Sequence, residues 1–556
     1  MRDHQPASVP GESVFALSAE TMLRVKMQPE CSGDPCHGIV EVVPRSFRAT
    51  RRTIPELLVR TAFAAVFLAI APQLATADSR KADRPNVLLI TADDLGLQLG
   101  VYGDRIVSTP HLDRLSEGGM RFENAYVTSA SCSSSRASLL TGLYPHQNGQ
   151  TGLAHLGNTM RPGLPNLVSL LRAQGYRTGI IGKLHVEPEA EFPFDFDRKE
   201  IPATREKSAV RSMCEEFWGE AKGGPFFLYI NLFDPHDPFV VDINGSPEAK
   251  VSPSEAATLP FLDKDTPQLR AQVADYLTCV NRLDEIVGEI LASLAAQGLD
   301  ANTIVVFVSD NGPSFARAKG TCYEAGVRIP LIINWPEHFK TGVADELVSS
   351  IDLMPTVLEL AGAPAMPGLP GLSLLPLLKG KPMEWRRQIF TEYNSHEPRM
   401  VNPRRAVREG RHKLIMTLLA DPDLQWPDSL PLEKVRTVQK DAGQGEFLGV
   451  YDLEKDPHEF NNLAGRPEMK EVQDRLLQAL QQWRLQTKDP LLEPSNMDRL
   501  LQEAMLAMDT NTIFGELRRK QEAAKRAGRR IPNTVTPEEI EKLRASQSLT
   551  GQKYAR

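Results

Sequence analysis

From Arg84 onward, short apolar runs rich in β-branched residues alternate with stretches of helical periodicity. Apolar runs of about four to eight residues, bounded by turn residues, are typical of strands buried on both faces of a sheet. Their alternation with helical stretches predicts βαβ units and a parallel sheet. We therefore expect an α/β fold in which helices cover both faces of a central sheet. The predicted strands that carry this argument are Asn86–Thr91, Thr178–Gly182, Phe226–Phe233 and Thr303–Ser309.

A polar cluster follows each of these four strands directly. In chain order the clusters are Asp93-Asp94, Lys183-Leu184-His185, Asp234-Pro235-His236 and Asp310-Asn311-Gly312. In open α/β sheets, ligands bind beyond the carboxyl ends of the strands. The four clusters are therefore expected to converge on one site at one edge of the sheet.

Four residues of these clusters offer three carboxylates and one amide oxygen: Asp93, Asp94, Asp310 and Asn311. Such an oxygen-only set suits Ca²⁺ or Mg²⁺ and suits zinc poorly. Each pair alone is also a common strand-end cap or turn, but converging carboxylates repel each other strongly without a cation. The sequence therefore predicts one divalent cation, with Ca²⁺ favoured over Mg²⁺.

Helical patterns fill the spaces between the predicted strands, and a second domain follows them. The helices are expected at Leu167–Gln174, Asp275–Ala296 and Met354–Leu360. A connection rich in Pro and Gly, Ala363–Gly371, then leads to shorter strands and a closing helix. We therefore predict a main domain over 78–370, a smaller C-terminal α+β domain over 371–489, and a charged helical tail over 490–556. The elements of the smaller domain are Arg387–Tyr393, Ala406–Ile415, Leu448–Leu453 and the helix Lys470–Gln486.

The N-terminal region has the pattern of an export signal. Residues 45–60 carry several arginines, residues 61–71 are apolar, and Ala75-Thr76-Ala77 has the small residues of a cleavage site. The apolar stretch is short for a membrane span, so export to the periplasm or the medium is favoured over an anchor at residues 61–71. Residues 1–44 are expected to be a disordered extension or the product of an overlong gene start.

The amino-acid composition and the net charge of the chain limit the classes of function that it can have. A chain of 556 residues with 41% apolar content is typical of a folded protein of more than one domain. Its net charge is −7 and the basic residues form no long stripe before the C-terminus, which argues against a nucleic-acid surface. The cysteines that follow the predicted cleavage site are Cys132, Cys214, Cys279 and Cys322. They permit a disulfide without requiring one, and their spacing fits no zinc motif.

Cys132 has an unusual local sequence. A buried structural cysteine normally lies among apolar residues, whereas this thiol is followed by three serines and then by Arg136. Small hydroxyl groups and a cation are the surroundings that a nucleophile acting on an anion needs. The run Cys132–Gly142 resembles the sulfatase signature, in which the cysteine is oxidised to formylglycine, an aldehyde that carries catalysis. Ser134 departs from the Pro or Ala that is most common at its position.

The resemblance extends along the exported chain, because the Asp-Asp, Gly-Lys-x-His, Asp-Pro-His and Ser-Asp-Asn-Gly segments occur in the sulfatase order. It implies an alkaline-phosphatase-like α/β sandwich with a mostly parallel sheet, and a maturation enzyme as a partner. It also implies that Cys132 completes the metal shell of Asp93, Asp94, Asp310 and Asn311. The cations that hold the formylglycine and the sulfate would be Arg136, Lys183 and Lys319.

The same resemblance makes His185 and His236 the catalytic histidines. One hydroxyl of the hydrated aldehyde would attack sulfur, His236 with Lys319 would protonate the leaving group, and His185 would take a proton from the second hydroxyl. Lys183, His236 and Lys319 would also contact the substrate. His155 and Asp237 are further candidates for the substrate pocket, although either could equally cap a turn.

Several stretches resemble the heparan N-sulfatases within this family, among them 135–143, 146–149 and 192–196. This resemblance implies a sulfated carbohydrate substrate, with fragments of glycosaminoglycans as one candidate class. Lys319 stands where N-sulfatases carry an arginine, and a lysine is common there in O-sulfatases, so N- and O-sulfate both remain open. The alternatives are a phosphate or phosphonate monoester hydrolase of the same superfamily, and a carbohydrate-binding protein in which Cys132 is never converted.

Overall fold

A computed structural model describes residues 84–221, 223–396, 401–418, 448–493, 495–496 and 500. The predicted N-terminal extension, the signal-like segment at 45–77 and nearly all of the tail at 490–556 lie outside these residues. In the ranges that are described, no helix has the length and apolar character needed to cross a bilayer.

A mixed sheet of nine strands forms the central layer of the main domain. Its strands are β1 Asn86–Ala92, β2 Met120–Tyr126, β3 Arg177–Gly182, β4 Phe196–Arg198, β5 Phe226–Leu232, β6 Thr303–Ser309, β7 Arg328–Ile329, β8 Leu331–Asn334 and β9 Gly342–Ser349. The order across the sheet is β4-β3-β5-β1-β6-β8-β2-β7, and β9 also pairs with β2. The four strands predicted from the apolar runs are β1, β3, β5 and β6, each within one residue of its expected bounds.

The five strands from β4 to β6 pair in parallel, so their carboxyl ends lie at one edge of the sheet. Every residue of β1, β5 and β6 is buried. Side chains alternate between faces along a strand, and in β1 Val87 and Leu89 join one apolar cluster while Leu88 and Ile90 join another. The central sheet therefore has a hydrophobic core on each face, as the sequence predicts.

Helices cover both faces of this sheet. The helices of the main domain are Pro110–Glu117, Cys132–Thr141, Pro145–Asn148, Leu167–Ala173, Lys207–Glu220, Pro267–Ala296, Glu324–Val327, Leu353–Leu360 and Leu375–Leu378. The long helix begins at Pro267 rather than at the predicted Asp275, because Thr266 caps it and proline is favoured in its first turn. Its residues before Val273 are not buried, so the apolar periodicity starts later than the helix itself.

A second, antiparallel sheet forms the C-terminal domain in the order β10-β11-β12-β13. Its strands are β10 Gln388–Tyr393, β11 Arg404–Glu409, β12 His412–Thr417 and β13 Leu448–Asp452. The helix Lys470–Gln486 has the predicted bounds and buries Leu476, Leu480 and Trp483. The prediction of one strand at Ala406–Ile415 was wrong. Glu409 pairs with His412 across a two-residue turn at Gly410, whose φ of 56° favours glycine.

Gly182 ends β3 immediately before the Lys183 cluster, and it permits a close approach to the end of β5. Its φ is +83°, and a Cβ there would lie 2.2 Å from the carbonyl oxygen of Asn231. Gly175 has nearly the same φ, +82°, but a Cβ there would meet nothing within 4 Å. The close packing of β3 against β5 therefore depends on the absence of a side chain at Gly182.

We expect Gly182→Ala to lower the free energy of unfolding more than Gly175→Ala does. Both variants force alanine into a left-handed conformation, at a cost of about 1–2 kcal/mol. Only Gly182→Ala adds a steric clash, which is expected to cost a further ~1–3 kcal/mol. Denaturant unfolding of both variants measures the difference. Equal losses would show that the contact with Asn231 relaxes freely.

Candidate active site

The predicted polar clusters lie together at the carboxyl ends of the parallel strands. Asp93 and Asp94 follow β1, and Asp310 and Asn311 follow the neighbouring β6. The backbone N–H of Asp94 donates to Oδ1 of Asp310 at 3.0 Å. All four residues are at most 1% exposed. Asp94 has a φ of 66°, an uncommon conformation for a residue with a side chain, of the kind found at functional sites.

Cys132 begins the helix Cys132–Thr141 beside this acidic pair. Its Sγ lies 3.6 Å from Oδ1 of Asp93 and 3.9 Å from Oδ1 of Asp94. Burial raises the pKa of the Cys132 thiol far above its usual value, and this effect outweighs the opposing charges of Lys183 and Lys319. The unmodified side chain is therefore a protonated thiol at neutral pH, and the thiolate is the nucleophilic form of cysteine.

Arg136 lies one helical turn after Cys132, where residues four apart share a face. Its guanidinium donates to Oδ2 of Asp310 from Nε at 2.9 Å and lies 2.8 Å from the same atom through Nη2. Its Nη1 donates to Oδ1 of Asn231 at 2.5 Å and to the carbonyl of Lys183 at 3.2 Å. The sequence analysis missed Asn231; its only signal is a polar residue within the apolar run that forms β5.

Two lysines complete the positive charge of the site. Lys183 Nζ lies 2.6 Å from Oδ2 of Asp93, and Lys319 Nζ lies 2.7 Å from Oδ1 and 2.8 Å from Oδ2 of Asp94. Burial alone would lower the pKa of each lysine, but the adjacent carboxylate raises it above its ordinary value. Both ammonium groups therefore stay charged.

The carboxylates of Asp93 and Asp310 have different environments. Burial would raise the pKa of Asp93, yet the charges of Lys183 and Arg136 hold it well below its usual value. Burial and the charge of Asp93 raise the pKa of Asp310 to about 6. With Asp94, the three aspartates balance three cations: Arg136, Lys183 and Lys319.

A potential metal-binding group is formed by Asp93, Asp94, Cys132 and His236, whose ligand atoms lie within 4.8 Å of one another. Asn311 adds an oxygen beside them. Its Nδ2 donates to Oδ1 of Asp94 at 2.7 Å, whereas its buried Oδ1 has no hydrogen-bond partner among the described residues. A buried acceptor without a partner is costly, and a carbonyl oxygen beside carboxylates is a ligand that Ca²⁺ and Mg²⁺ prefer. The donor set thus fits the predicted cation.

His236 lies beside the carboxylate of Asp94, in a loop that a buried ion pair between Asp234 and Arg282 holds in place. Its Nε2 lies 3.6 Å from Oδ2 of Asp94, and its ring stacks on Phe233 at 4.8 Å between centroids. The preceding Asp234 is fully buried and accepts hydrogen bonds from Arg282 at 2.7 and 2.8 Å. Asp237 is exposed, and its backbone carbonyl accepts the hydrogen bond from Nδ1 of His236.

His185 lies next to His155 at the mouth of the site. Nε2 of His185 is 2.8 Å from Nδ1 of His155, and the two rings stack at 5.0 Å. Burial and the charge of Lys183 lower the pKa of His185 to about 2. His185 is therefore neutral at physiological pH, and its buried Nδ1 has no hydrogen-bond partner among the described residues.

His396, a residue that the sequence analysis missed, also borders the site. It follows β10 in the C-terminal domain, and its Nδ1 lies 3.0 Å from Oγ of Ser131, the residue before Cys132. Burial lowers the pKa of His396 well below its ordinary value, and the charges of Lys319 and Lys183 add to this effect. No motif surrounds it, so only the packing of two domains reveals its position.

Comparisons with known proteins identify the family. The sulfatase family model matches residues 85–363, and the model described as "N-sulphoglucosamine sulphohydrolase, C-terminal" matches residues 317–425. Human N-sulphoglucosamine sulphohydrolase is 34% identical over 73% of this chain and 91% of its own length. Human arylsulfatase A is 34% identical over 76% of this chain and 90% of its own length. The chain belongs to the sulfatase family and is a hydrolase of sulfuric esters or sulfamates.

Solved structures share the fold. The structure of BT4656 in complex with its substrate D-glucosamine-2-N,6-O-disulfate has a TM-score of 0.57 and 23% identity, covering 73% of this chain and 98% of the other. The phosphonate monoester hydrolase of Agrobacterium radiobacter has a TM-score of 0.60 and 20% identity, covering 73% of this chain and 96% of the other. The predicted α/β sulfatase fold with a smaller C-terminal domain is confirmed.

Proposed function

We propose that this protein removes sulfate from a sulfated carbohydrate, with a formylglycine derived from Cys132 as the nucleophile. The observation that carries the proposal is the position of Cys132, between two buried aspartates and within a set of three buried cations. A sulfate group is a tetrahedral anion, and charged donors fixed in a buried site stabilise the additional charge of its transition state.

The conversion of Cys132 is supported by its environment. As a buried thiol it is protonated and weakly nucleophilic, whereas a hydrated aldehyde at this position would supply a hydroxyl nucleophile. Residues 132–136 are at most 1% exposed. A maturation enzyme cannot reach a side chain buried in this way, so the conversion must precede the folding of this segment. Ser134 is fully buried as well, and its hydroxyl has no hydrogen-bond partner among the described residues.

A divalent cation, Ca²⁺ or Mg²⁺, would be held by Asp93, Asp94, Asp310, Asn311 and the modified Cys132. When bound, the cation would polarise sulfate and nucleophile oxygens and lower the pKa of a hydroxyl that it contacts. The three aspartates are already balanced by Arg136, Lys183 and Lys319, so a divalent ion would make the site net positive. A net positive site favours an anionic substrate over a neutral one.

The remaining polar residues would position the substrate and transfer protons. Lys183 and Lys319 would bind the non-bridging sulfate oxygens, and Arg136 would orient Asp310 and the nucleophile. His236, at the partly exposed edge of the site, would donate a proton to the leaving group. Neutral His185 would accept a proton from the nucleophile side chain, with His155 holding its ring. Asp237 would contribute to the outer part of the substrate pocket.

Sulfated glucosamine is the first substrate class to test. The human relative is named for N-sulphoglucosamine, and the bound sugar of a structural neighbour is a glucosamine disulfate. Lys319 presents one compact charge rather than the planar fork of an arginine, so it suits a sulfate ester and a sulfamate alike. We extend the proposal to export from the cytoplasm, on the basis of the signal-like residues 45–77.

The decisive experiment combines peptide mass spectrometry across Cys132 with a hydrolysis panel, on protein produced with a competent maturation enzyme. We expect an aldehyde at Cys132 and sulfate release from glucosamine N-sulfate or glucosamine 6-O-sulfate. An aryl phosphonate ester serves as the alternative substrate. Turnover of the phosphonate alone would favour a phosphonate hydrolase. A persistent thiol with sugar binding but no turnover would favour a binding protein.

A further inference from the structure

His396 reaches the active site from the other domain, and its position is held by several contacts. Its backbone carbonyl accepts from the N–H of Leu153 at 3.3 Å, and its Nδ1 lies 3.0 Å from Oγ of Ser131. Leu153 and Ser131 both belong to the main domain. The backbone and the side chain of His396 thus contact two different segments of the main domain, which hold the residue in a defined position.

The segment before His396 is anchored to the main domain as well. The N–H of Glu392 donates to the carbonyl of Thr128 at 2.7 Å, and the buried carboxylate of Glu392 pairs with His146. Asn394 donates to Glu392 at 2.9 Å and accepts from Arg405 at 3.0 Å. These buried contacts hold the end of β10 against the loop that leads to Cys132.

The contact with Ser131 determines the tautomer of the His396 ring. Ser131 is fully buried, and Nδ1 of His396 is the acceptor that the described residues provide for its hydroxyl. A buried hydroxyl that places its proton on an acceptor avoids the cost of an unsatisfied donor, so we infer that Ser131 donates to Nδ1. A neutral imidazole then carries its proton on Nε2. The lowered pKa of His396 agrees with a neutral ring.

Nε2 of His396 has no hydrogen-bond partner in the part of the chain that the structure describes, and the residue is only partly buried. The charges that act on the ring come from Lys319, Lys183, His236 and His155, which are the proposed substrate-facing groups. His396 therefore lies near enough to these four side chains to feel their charges, and its ring contacts Ser131, the residue that precedes Cys132. The N–H at Nε2 is therefore a neutral hydrogen-bond donor, whereas the lysines of the site are charged donors.

We propose that His396 is a specificity-determining residue that donates a hydrogen bond from Nε2 to a hydroxyl of the sugar that carries the scissile sulfate. A neutral donor suits a neutral hydroxyl, whereas the charged Lys183 and Lys319 are assigned to the sulfate oxygens. The C-terminal domain thus completes the carbohydrate part of the site. This inference rests on the proposed sulfatase activity toward a sugar and adds the group that recognises the sugar itself.

The test is a cycle of enzyme variants and deoxy substrates. We would measure kcat/KM of the wild type and His396→Ala on the sulfated glucosamine that the wild type cleaves best, and on analogues that each lack one ring hydroxyl. We expect His396→Ala to lower kcat/KM about ten-fold on the parent sugar, the loss typical of one hydrogen bond. On the analogue that lacks the contacted hydroxyl, the two enzymes should be nearly equal.

Two further variants separate recognition from structure. His396→Gln retains an N–H donor near the position of Nε2 and is expected to recover part of the loss on the parent sugar. His412→Ala removes a histidine from β12, away from the site, and is expected to leave kcat/KM unchanged. Thermal melting of each variant checks that the fold is retained.

If His396→Ala lowered kcat/KM on every deoxy analogue as much as on the parent sugar, the proposed hydrogen bond from His396 would be contradicted. The same conclusion would follow if a folded His396→Gln variant recovered no activity. Either result would leave the sulfatase proposal intact. A fully matured wild type that cleaves no sulfated sugar would contradict the proposed substrate class, and the contact with it. The wild-type measurements therefore test the function, and the cycle tests His396.

Discussion

Cys132→Ala is expected to abolish sulfate release, with a fall in kcat of at least about 10⁴-fold. Removal of a catalytic nucleophile typically costs this much or more, because the remaining groups bind and polarise the substrate but form no bond to it. In this protein the loss should be almost complete, since Arg136, Lys183 and Lys319, in the roles proposed for them, would stabilise charge without supplying a nucleophile. The measurement is kcat on the best sulfated glucosamine from the panel.

Cys214→Ala is the matched control for this variant. Cys214 is also a fully buried free cysteine, but it lies in the helix Lys207–Glu220 among core residues. We expect Cys214→Ala to retain kcat and to lose only stability, by about 1 kcal/mol. If Cys132→Ala retained activity while its fold was intact, Cys132 would not be the source of the nucleophile. The same result would support the phosphatase-type alternative, whose nucleophile need not derive from cysteine.

Asp94→Asn is expected to release the divalent cation and to lower kcat/KM on the order of 10³-fold, because it removes a charge that metal binding and transition-state stabilisation both require. The carboxylate of Asp94 lies against Lys319, Asn311 and Cys132, so the substitution keeps the shape but changes the charge at the centre of the site. Metal analysis of the purified variant, beside its kcat/KM, measures both effects.

The control is Asp104→Asn, because Asp104 accepts a hydrogen bond from the N–H of Ile106 at 2.8 Å in a turn outside the site. It should keep metal content and activity. Chelation of the wild type should reduce activity to the level of Asp94→Asn, and Ca²⁺ or Mg²⁺ should restore it. Stoichiometric zinc in the active enzyme would contradict the oxygen-ligand argument, and full metal content in Asp94→Asn would remove Asp94 from the ligand set.

The strands of the parallel sheet and the order of the polar clusters followed from local sequence. A strand buried on both faces must be apolar along its length, so β1 and β6 are visible as uninterrupted apolar runs. Polar residues directly after such runs, such as Asp93 and Asp310, must lie at the sheet edge where the strands end. The resemblance of the Cys132 segment then indicated what chemistry these residues serve.

Other parts of the fold could not be predicted from the sequence, and the reasons are physical. The two-strand hairpin β11–β12 looked like one strand, because a two-residue turn at Gly410 interrupts the apolar pattern very little. The sequences of strands β7, β8 and β9 do not indicate which strands they pair with. Their pairing with β2 and β6 depends on contacts between segments that are far apart in the chain.

The fold class, the candidate nucleophile and the groups of charged residues could be predicted from the amino-acid sequence, because burial patterns and motifs are local properties of a chain. The three-dimensional packing was needed to show which charged groups form pairs, such as Arg136 with Asp310 and Lys319 with Asp94. The same packing brings His396 of the C-terminal domain into contact with Ser131 of the main domain. Such contacts arise when distant segments pack together, and the spacing of residues along the chain does not record that packing.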